Sequence, residues 1–279
     1  MIKEIKKIAN NSLDFKNLEE NHLSIQLSLD GFSFCVFNKP SNSVAVFAKY
    51  EFSNSPTPFE HLNLVKELYS QETLLKLKFT SINVTHFNNL ITQVPLPFFN
   101  KKNLKNYLQK TIKVLDNDYI TYDEINNSEI VNIYIPFVNI NNFLLDIYGS
   151  FIFKHSSTVL IETLLNQFKN QGEDYCFVNV SNLNFEIVVL KNKNLELYNC
   201  FTFKTKEDFI YYILFTAEQL NLNPEEFNLI LLGDIEKESE LYTILYQYIR
   251  NIKFYEPKEQ KTLVNGISAH ANFTVLNQF

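Results

Sequence analysis

The chain contains very little glycine. It has five glycines in 279 residues, whereas an average chain carries about 7%. Loops that cradle phosphate groups need glycine, because their backbone must approach the ligand closely and adopt positive φ. Neither GxGxxG nor GxxxxGK[ST] occurs in the sequence. The P-loop and Rossmann modes of nucleotide binding are therefore excluded.

Long apolar runs and paired cysteines are also lacking. No run approaches the roughly 18 apolar residues of a membrane span, and the N-terminus has no apolar region typical of a signal peptide. Cys35, Cys176 and Cys200 lie in predicted strands without metal-ligand spacing, which favours buried, reduced thiols. We therefore expect a cytoplasmic protein with no transmembrane segment.

The charge balance argues against nucleic acid as a partner. The net charge is −6, whereas non-specific nucleic-acid binding depends on Lys and Arg that neutralise phosphates. The basic cluster KKNLKNYLQK at Lys101–Lys110 is interpreted as the solvated face of a helix over about Lys102–Val114. A local site for an anion or a membrane surface is the alternative.

No catalytic constellation stands out. The five histidines show neither HExxH nor HxH spacing, so no metal site is predicted. The run His155-Ser156-Ser157 could suggest a base and a nucleophile, but neighbours along a strand point to opposite faces. The first strand offers Ser24, Gln26 and Ser28 where a two-metal nuclease would need carboxylates.

Two stretches of the chain look like the same structural unit. Leu23–Phe37 reads LSIQLSLDGFSFCVF and Cys176–Leu190 reads CFVNVSNLNFEIVVL, and each predicts an alternating strand, a short turn and a second strand. A shift of 153 residues aligns them. The aligned pairs include Gln26 with Asn179, Ser28 with Ser181, Phe32 with Phe185 and Val36 with Val189. Because repeats set architecture, we expect two related α/β lobes with a cleft between them.

These hairpins, the run VNIYIPFVNINNFLLDIYGSFIFKHSSTVLIETLL and the later FNLILLGD resemble the actin/Hsp70-like ATPase superfamily. Within it the chain is similar to the branch of the pilus-assembly protein PilM and the division protein FtsA. It also resembles an uncharacterised family from Bacteroidota with this fold. The resemblance implies an α/β fold of duplicated ribonuclease-H-like lobes. Lobe one would span 1–154, with an inserted subdomain at about 90–136, and lobe two would span 155–279.

The chain departs from that superfamily where phosphate would bind. The superfamily has Asp at the position of Gln26 and Gly at that of Ser28. Its second phosphate motif has the same Asp and Gly, where this chain has Asn179 and Ser181. The carboxylate organises the hydration of the metal ion, and the glycine lets backbone amides reach the phosphates. Only Gly233-Asp234 resembles the adenosine-side loop. The resemblance thus implies no catalytic residues, no metal and no cofactor.

The function expected from this pattern is a non-catalytic scaffold or interaction module that has lost ATP hydrolysis. Its partner would be an unidentified protein or peptide, or a second copy of the chain. The expected contact segments are Leu90–Val114 and an open strand edge near Val44–Phe52, because open edges accept added strands. The alternative is an atypical nucleotide-binding ATPase or kinase of the same superfamily.

Overall fold

A computed structural model describes residues 1–9, 20–53, 57–168, 170–257, 263 and 266–279. The strands among these residues are Ile2–Ala9 (β1), Asn21–Ser28 (β2), Gly31–Asn38 (β3), Ser43–Phe52 (β4), Ser81–Phe87 (β5), Ile91–Pro95 (β6), Thr121–Glu124 (β7), Ile130–Tyr134 (β8), Ile152–His155 (β9), Tyr175–Val180 (β10), Asn184–Lys191 (β11), Asn194–Thr202 (β12), Asn228–Gly233 (β13) and Asn251–Phe254 (β14). The helices are Pro58–Gln71 (α1), Leu104–Leu108 (α2), Val138–Tyr148 (α3), Ser156–Phe168 (α4), Lys206–Gln219 (α5) and Glu240–Tyr248 (α6). None of them is long and apolar enough to cross a bilayer.

The chain divides into two compact units. Unit 1 comprises Met1–Leu160 with Lys261–Ile267 and Thr274–Phe279, and unit 2 comprises Ile161–Gln260 with Ser268–Phe273. The end of the chain therefore contributes residues to both units.

The main sheet of unit 1 has the strand order β1-β4-β3-β2-β5-β9. In β2 the apolar residues Leu23, Ile25 and Leu27 alternate with polar ones, and all three are fully buried in the core that includes residues of α1 and α3. This is the result that the period-two pattern predicts for a strand covered by helices.

Unit 2 repeats this arrangement with the strand order β12-β11-β10-β13-β14. Gln26 faces Ser33 across the first hairpin and Asn179 faces Glu186 across the second. The pairing of the second strand with the third strand, β4 or β12, shifts its register next to Val36 in unit 1. It shifts next to the equivalent residue, 153 positions later, in unit 2. The register of the hairpin and the point on its second strand that faces the bulge therefore obey the shift seen in the sequence, and the two related α/β lobes are confirmed.

The expectation of an open edge at Val44–Phe52 is wrong. β1 pairs antiparallel along β4, from Ile2 opposite Phe52 to Ala9 opposite Val46. The register shifts between Glu4 and Lys6, and such a bulge changes which residues face each side of the sheet. Ile2 accordingly packs in the core that includes α1 and α3, and Ile8 in a second cluster. The bulge breaks the period-two pattern, which is why the sequence did not predict this strand.

The second cluster brings the end of the chain onto the sheet of unit 1. Val275 and Leu276 pack with Phe37, and the ring of Phe279 stacks on that of Phe37 with centroids 3.8 Å apart. Within its described residues this segment consists of turns and a short 3-10 helix, Val275–Asn277. Its apolar side chains are close neighbours in sequence, a spacing that suits turns lying on a sheet rather than the stripe of a helix.

A third, smaller sheet with the order β6-β8-β7 lies within unit 1. The helix expected over about Lys102–Val114 is shorter than predicted, because α2 ends at Leu108. Beyond it, Ile112 and Val114 pack against the apolar side of this sheet. Their period-two spacing and β-branched side chains favour extended chain over helix.

An ion pair fastens β1 to the end of α1. Lys7 Nζ lies 2.6 Å from Glu72 Oε1, and the Glu72 side chain is buried. We expect Glu72→Gln to lower the free energy of unfolding by about 1–3 kcal/mol, because the charge on the acceptor is lost and Lys7 no longer has an ionic partner there. Urea unfolding measures this loss, and amide hydrogen exchange should show faster exchange along β1.

Asp116→Asn is the matched control. Asp116 pairs with Lys105 at 3.0 Å but is fully exposed, and exposed pairs contribute little. Equal effects of the two substitutions would contradict the anchoring role of Glu72.

Candidate functional site

The first phosphate-loop position lies at the end of β2 in unit 1. Gln26 is half-buried in the strand, and Ser28 Oγ donates a hydrogen bond to Asp30 Oδ1 at 2.7 Å. A Cβ on Gly31 would stand 2.7 Å from the backbone oxygen of Tyr50, so this glycine serves close packing against β4. The turn is thus held by its own residues and those of its neighbouring strand.

The end of the chain lies beside this position. Gln278 Nε2 donates to Thr85 Oγ1 at 2.9 Å and lies 3.3 Å from the carbonyl oxygen of Ile25. Thr85 is the residue of β5 that pairs with Gln26 in the parallel register. Residues that flank the first loop position are therefore engaged by the chain itself.

The second loop position, in unit 2, contains a buried carboxyl group. Asn179 Nδ2 donates to Glu186 Oε2 at 2.7 Å, and the Tyr198 hydroxyl donates to Glu186 Oε1 at 2.9 Å. Burial raises the pKa of Glu186 to about 7, against the opposing effect of these two donors. Ser181 Oγ donates to the carbonyl of Asn184 at 2.9 Å. Both side chains at the predicted position are thus used within the hairpin.

Gly233 and Asp234 lie against this same strand end. Gly233 has φ +83°, and a Cβ there would stand 1.9 Å from the carbonyl oxygen of Val180 and 2.8 Å from Asn179 Oδ1. Only glycine fits such an approach. The amide of Asp234 donates to the carbonyl of Val180 at 2.7 Å. The structure therefore brings Asn179, Gly233 and Asp234 together in unit 2.

His270 also belongs to this cluster, although the sequence did not predict it. The amide of Gly233 donates to the carbonyl oxygen of His270 at 2.7 Å. The His270 ring lies 3.2 Å from the carbonyl oxygen of Ile235 through Nε2, and its centroid is 4.8 Å from that of Phe254. No local pattern links residues so far apart in the chain, so only the topology could reveal this contact.

The strand geometry expected for the run His155-Ser156-Ser157 is wrong. β9 ends at His155 and α4 begins at the next residue, so the turn places His155 Nδ1 2.7 Å from Ser157 Oγ. Asp123 Oδ2 accepts hydrogen bonds from the His155 amide and from Thr158 Oγ1, both at 2.8 Å. Burial lowers the pKa of His155 to about 4. His155 and Ser157 are completely buried, so this network holds the β9–α4 junction to β7 and offers no access to a substrate.

Nothing in the described part of the chain resembles a metal centre. No group of three or more His, Cys, Asp or Glu side chains is arranged to hold an ion there. Cys176 is buried, and burial raises its pKa to about 12. Its thiol is therefore a poor nucleophile and a poor metal ligand near neutral pH.

The chain is similar to one sequence family and to several solved structures. A family model described as "Protein of unknown function (DUF3822)" matches residues 10–252. A Bacteroides thetaiotaomicron protein with an actin-like ATPase fold and unknown function is 23% identical, with 95% of this chain and 97% of that chain covered and a TM-score of 0.79. The PilM–PilN type IV pilus biogenesis complex matches with 12% identity, 91% and 96% coverage and a TM-score of 0.58. A comparison with curated proteins finds no match. The actin-like ATPase fold and the resemblance to PilM are thereby confirmed.

Because the carboxyl group of Glu186 is buried, we expect the stability of the folded chain to depend on pH. Its pKa in the folded chain, about 7, is above the ordinary value of 4.5. The stability that this group contributes is therefore present below pH 4.5 and is lost as the pH rises to about 7. Glu186→Gln stays neutral, so its stability relative to wild type should rise by about 3 kcal/mol between pH 4 and pH 8. Urea unfolding across that range measures the difference.

Glu196→Gln provides the control on the adjacent strand. Glu196 is exposed, so Glu196→Gln removes one carboxyl group from the same sheet without changing a buried group, and it should not reproduce the effect of Glu186→Gln. Parallel curves for Glu186→Gln and wild type would contradict a buried, neutral Glu186.

Proposed function

The chain belongs to the DUF3822 family of unknown function, and we propose that it is a cytoplasmic, non-catalytic interaction module built on an actin-like ATPase fold. One observation carries the proposal. Groups that would have to face a nucleotide in unit 2 are bonded within the chain: the Gly233 amide to His270, the Asp234 amide to Val180 and the Asn179 side chain to Glu186.

The electrostatics of these positions support the proposal. A bound nucleotide brings several negative charges, and relatives of this fold offset them with a magnesium ion organised by carboxylates. Asn179 and Gln26 carry no charge, and burial raises the pKa of Glu186 to about 7. Removing metal-organising charge costs several kcal/mol of stabilisation. The amides of Gly233 and Asp234 already donate to carbonyl oxygens of the chain, so neither is available to a phosphate in this arrangement.

Calorimetry with ATP–Mg tests the loss of nucleotide binding. We expect no binding heat at micromolar nucleotide, because the amides are engaged and neither Gln26 nor Asn179 supplies a carboxylate for the metal. A titration in excess EDTA controls for binding that does not need magnesium. Micromolar affinity that requires magnesium would overturn the proposal and favour an atypical ATPase or kinase.

The surface of the small third sheet is the proposed contact region. Phe98 is 74% exposed and Leu96 is 44% exposed, and Lys101, Lys102 and Lys105 follow directly on exposed chain. We call these five residues the lysine–phenylalanine patch. Lys101 Nζ lies 5.4 Å from the centre of the Tyr122 ring, a contact that favours one position for its charge. Apolar anchors flanked by cations suit a peptide with apolar and acidic residues.

The solved neighbour adds one independent point. PilM, which shares the fold at 12% identity, is seen together with PilN. A protein with this architecture is therefore known with a bound partner, which agrees with an interaction role for the present chain.

Affinity purification from the native host tests this contact region. Wild-type protein should retain a partner that Lys101→Glu with Lys105→Glu loses, because reversed charge repels an acidic segment. Lys76→Glu with Lys78→Glu is the control, since both lysines are exposed in unit 1 outside the third sheet. Retention of the same partner by both double variants would exclude the patch. Sedimentation of the purified chain shows whether that partner is a second copy.

A further inference from the structure

The outer edges of the two main sheets differ although their topology is the same. In unit 1 the third strand of the repeat, β4, carries β1 on its outer side. In unit 2 the equivalent strand, β12, pairs with β11 and ends the sheet as far as the described residues show. Unit 2 therefore presents a nine-residue edge at the position where unit 1 has an added strand.

The two outer edges also differ in their protection. β1 has four charged residues in eight, Lys3, Glu4, Lys6 and Lys7, and contains a bulge. Charges and bulges are the devices by which proteins keep an exposed edge from pairing. β12 reads NLELYNCFT and has one charged residue, Glu196, which is also its bulged residue, with neither lysine nor proline. From Leu197 to Thr202, beyond that bulge, the edge of unit 2 has no charge, bulge or proline to prevent strand addition.

The backbone of β12 is suited to receive a strand. The amide of Phe203 donates to the carbonyl of Leu183, on the β11 side. Since an antiparallel strand directs successive amides to alternate sides, the amides of Cys200 and Thr202 face outward. The Cys200 amide is bonded to the side chain of its own neighbour, at 2.9 Å from Asn199 Oδ1. Asn199 is exposed, so this side chain can move aside for the carbonyl of an incoming strand.

The charges at the two ends of β12 decide between possible occupants. Lys193 precedes the strand and Lys204 follows it, and both are exposed. Two copies of β12 paired antiparallel about their centre would place Lys193 of one copy beside Lys204 of the other at both ends. Like charges in such positions are destabilising. A second copy is therefore disfavoured, and a segment with an acidic residue at each end is favoured.

We propose that β12 is a docking edge for an extended segment of a partner protein. The segment adds antiparallel, as β1 adds to β4, and its terminal carboxylates lie near Lys193 and Lys204. At about 3.3 Å per residue, roughly twelve residues bridge these lysines. The opposing residues alternate as in any strand, so β-branched side chains suit the centre of the segment. This surface is on unit 2 and is independent of the lysine–phenylalanine patch.

A synthetic peptide tests the proposal directly. The probe has about twelve residues, alternating valine and threonine between an aspartate at each end, and a control peptide has lysine at each end. With wild-type protein we expect the aspartate-ended peptide at millimolar concentration to slow hydrogen exchange of the Cys200 and Thr202 amides about tenfold. The lysine-ended peptide should leave both rates unchanged.

Three variants make the test specific. Lys193→Glu with Lys204→Glu should reverse the preference, so that only the lysine-ended peptide slows exchange. Asn199→Ala should strengthen binding of the aspartate-ended peptide, because the competing bond to Cys200 is gone. Thr202→Pro removes an amide that faces outward and should weaken binding of the peptide. The variant should still fold, because proline is tolerated at edge positions whose amide does not pair within the sheet.

Several results would overturn the proposal. Unchanged exchange at Cys200 and Thr202 with the aspartate-ended peptide would show that the edge does not accept a strand. Equal slowing by both peptides would remove the role of Lys193 and Lys204. A second copy would be identified as the occupant if these amides exchange slowly without peptide and if their protection increases with protein concentration.

Discussion

The main sheet of each unit depends on one strand that pairs antiparallel with the neighbour on one side and parallel with the neighbour on the other. β2 pairs antiparallel with β3 and parallel with β5, and β10 pairs in the same way with β11 and β13. The chain leaves such a strand through a tight hairpin on one side, while a helical crossover returns on the other. The connections therefore diverge at its carboxyl end, which is where open α/β sheets place their ligand sites. The candidate site positions are at this end in both units because the pairing scheme puts them there.

In this chain that end is closed by internal contacts rather than left open. The approach of Gly233 to Val180 is too close for any side chain, and Asn179 and Tyr198 direct their donors to Glu186. Burial of this carboxyl group costs little free energy while the group is protonated, because desolvation disfavours its charged form. The polar groups of this hairpin thus bond to one another. The end of the chain adds further contacts, through Gln278 in unit 1 and His270 in unit 2.

Equal topology has not produced equal surfaces. The repeated hairpins agree in register and in the point on their second strand that faces the bulge, since both features are set within about thirty residues of continuous chain. The covering of the sheets differs, because β1 and the apolar residues of the C-terminal segment come from the two ends of the sequence. Both segments lie outside the repeated stretches, and a repeat in the sequence does not require them to be repeated.

The sequence by itself determined the features that short-range periodicity encodes. The alternation in Leu23–Leu27 specified a strand, the glycine after Tyr148 specified the end of α3 with φ +75°, and the uncharged residues at Gln26 and Asn179 were visible directly. Only the tertiary structure decided that β1 covers β4, that His155 contacts Ser157, and that His270 bonds to Gly233. The first contact depends on a bulge in β1, and the second on the junction of a strand with a helix. The third joins residues that are 37 positions apart. Local propensity carries no information about them, because their free energy is gained only when the distant partner has been brought into place.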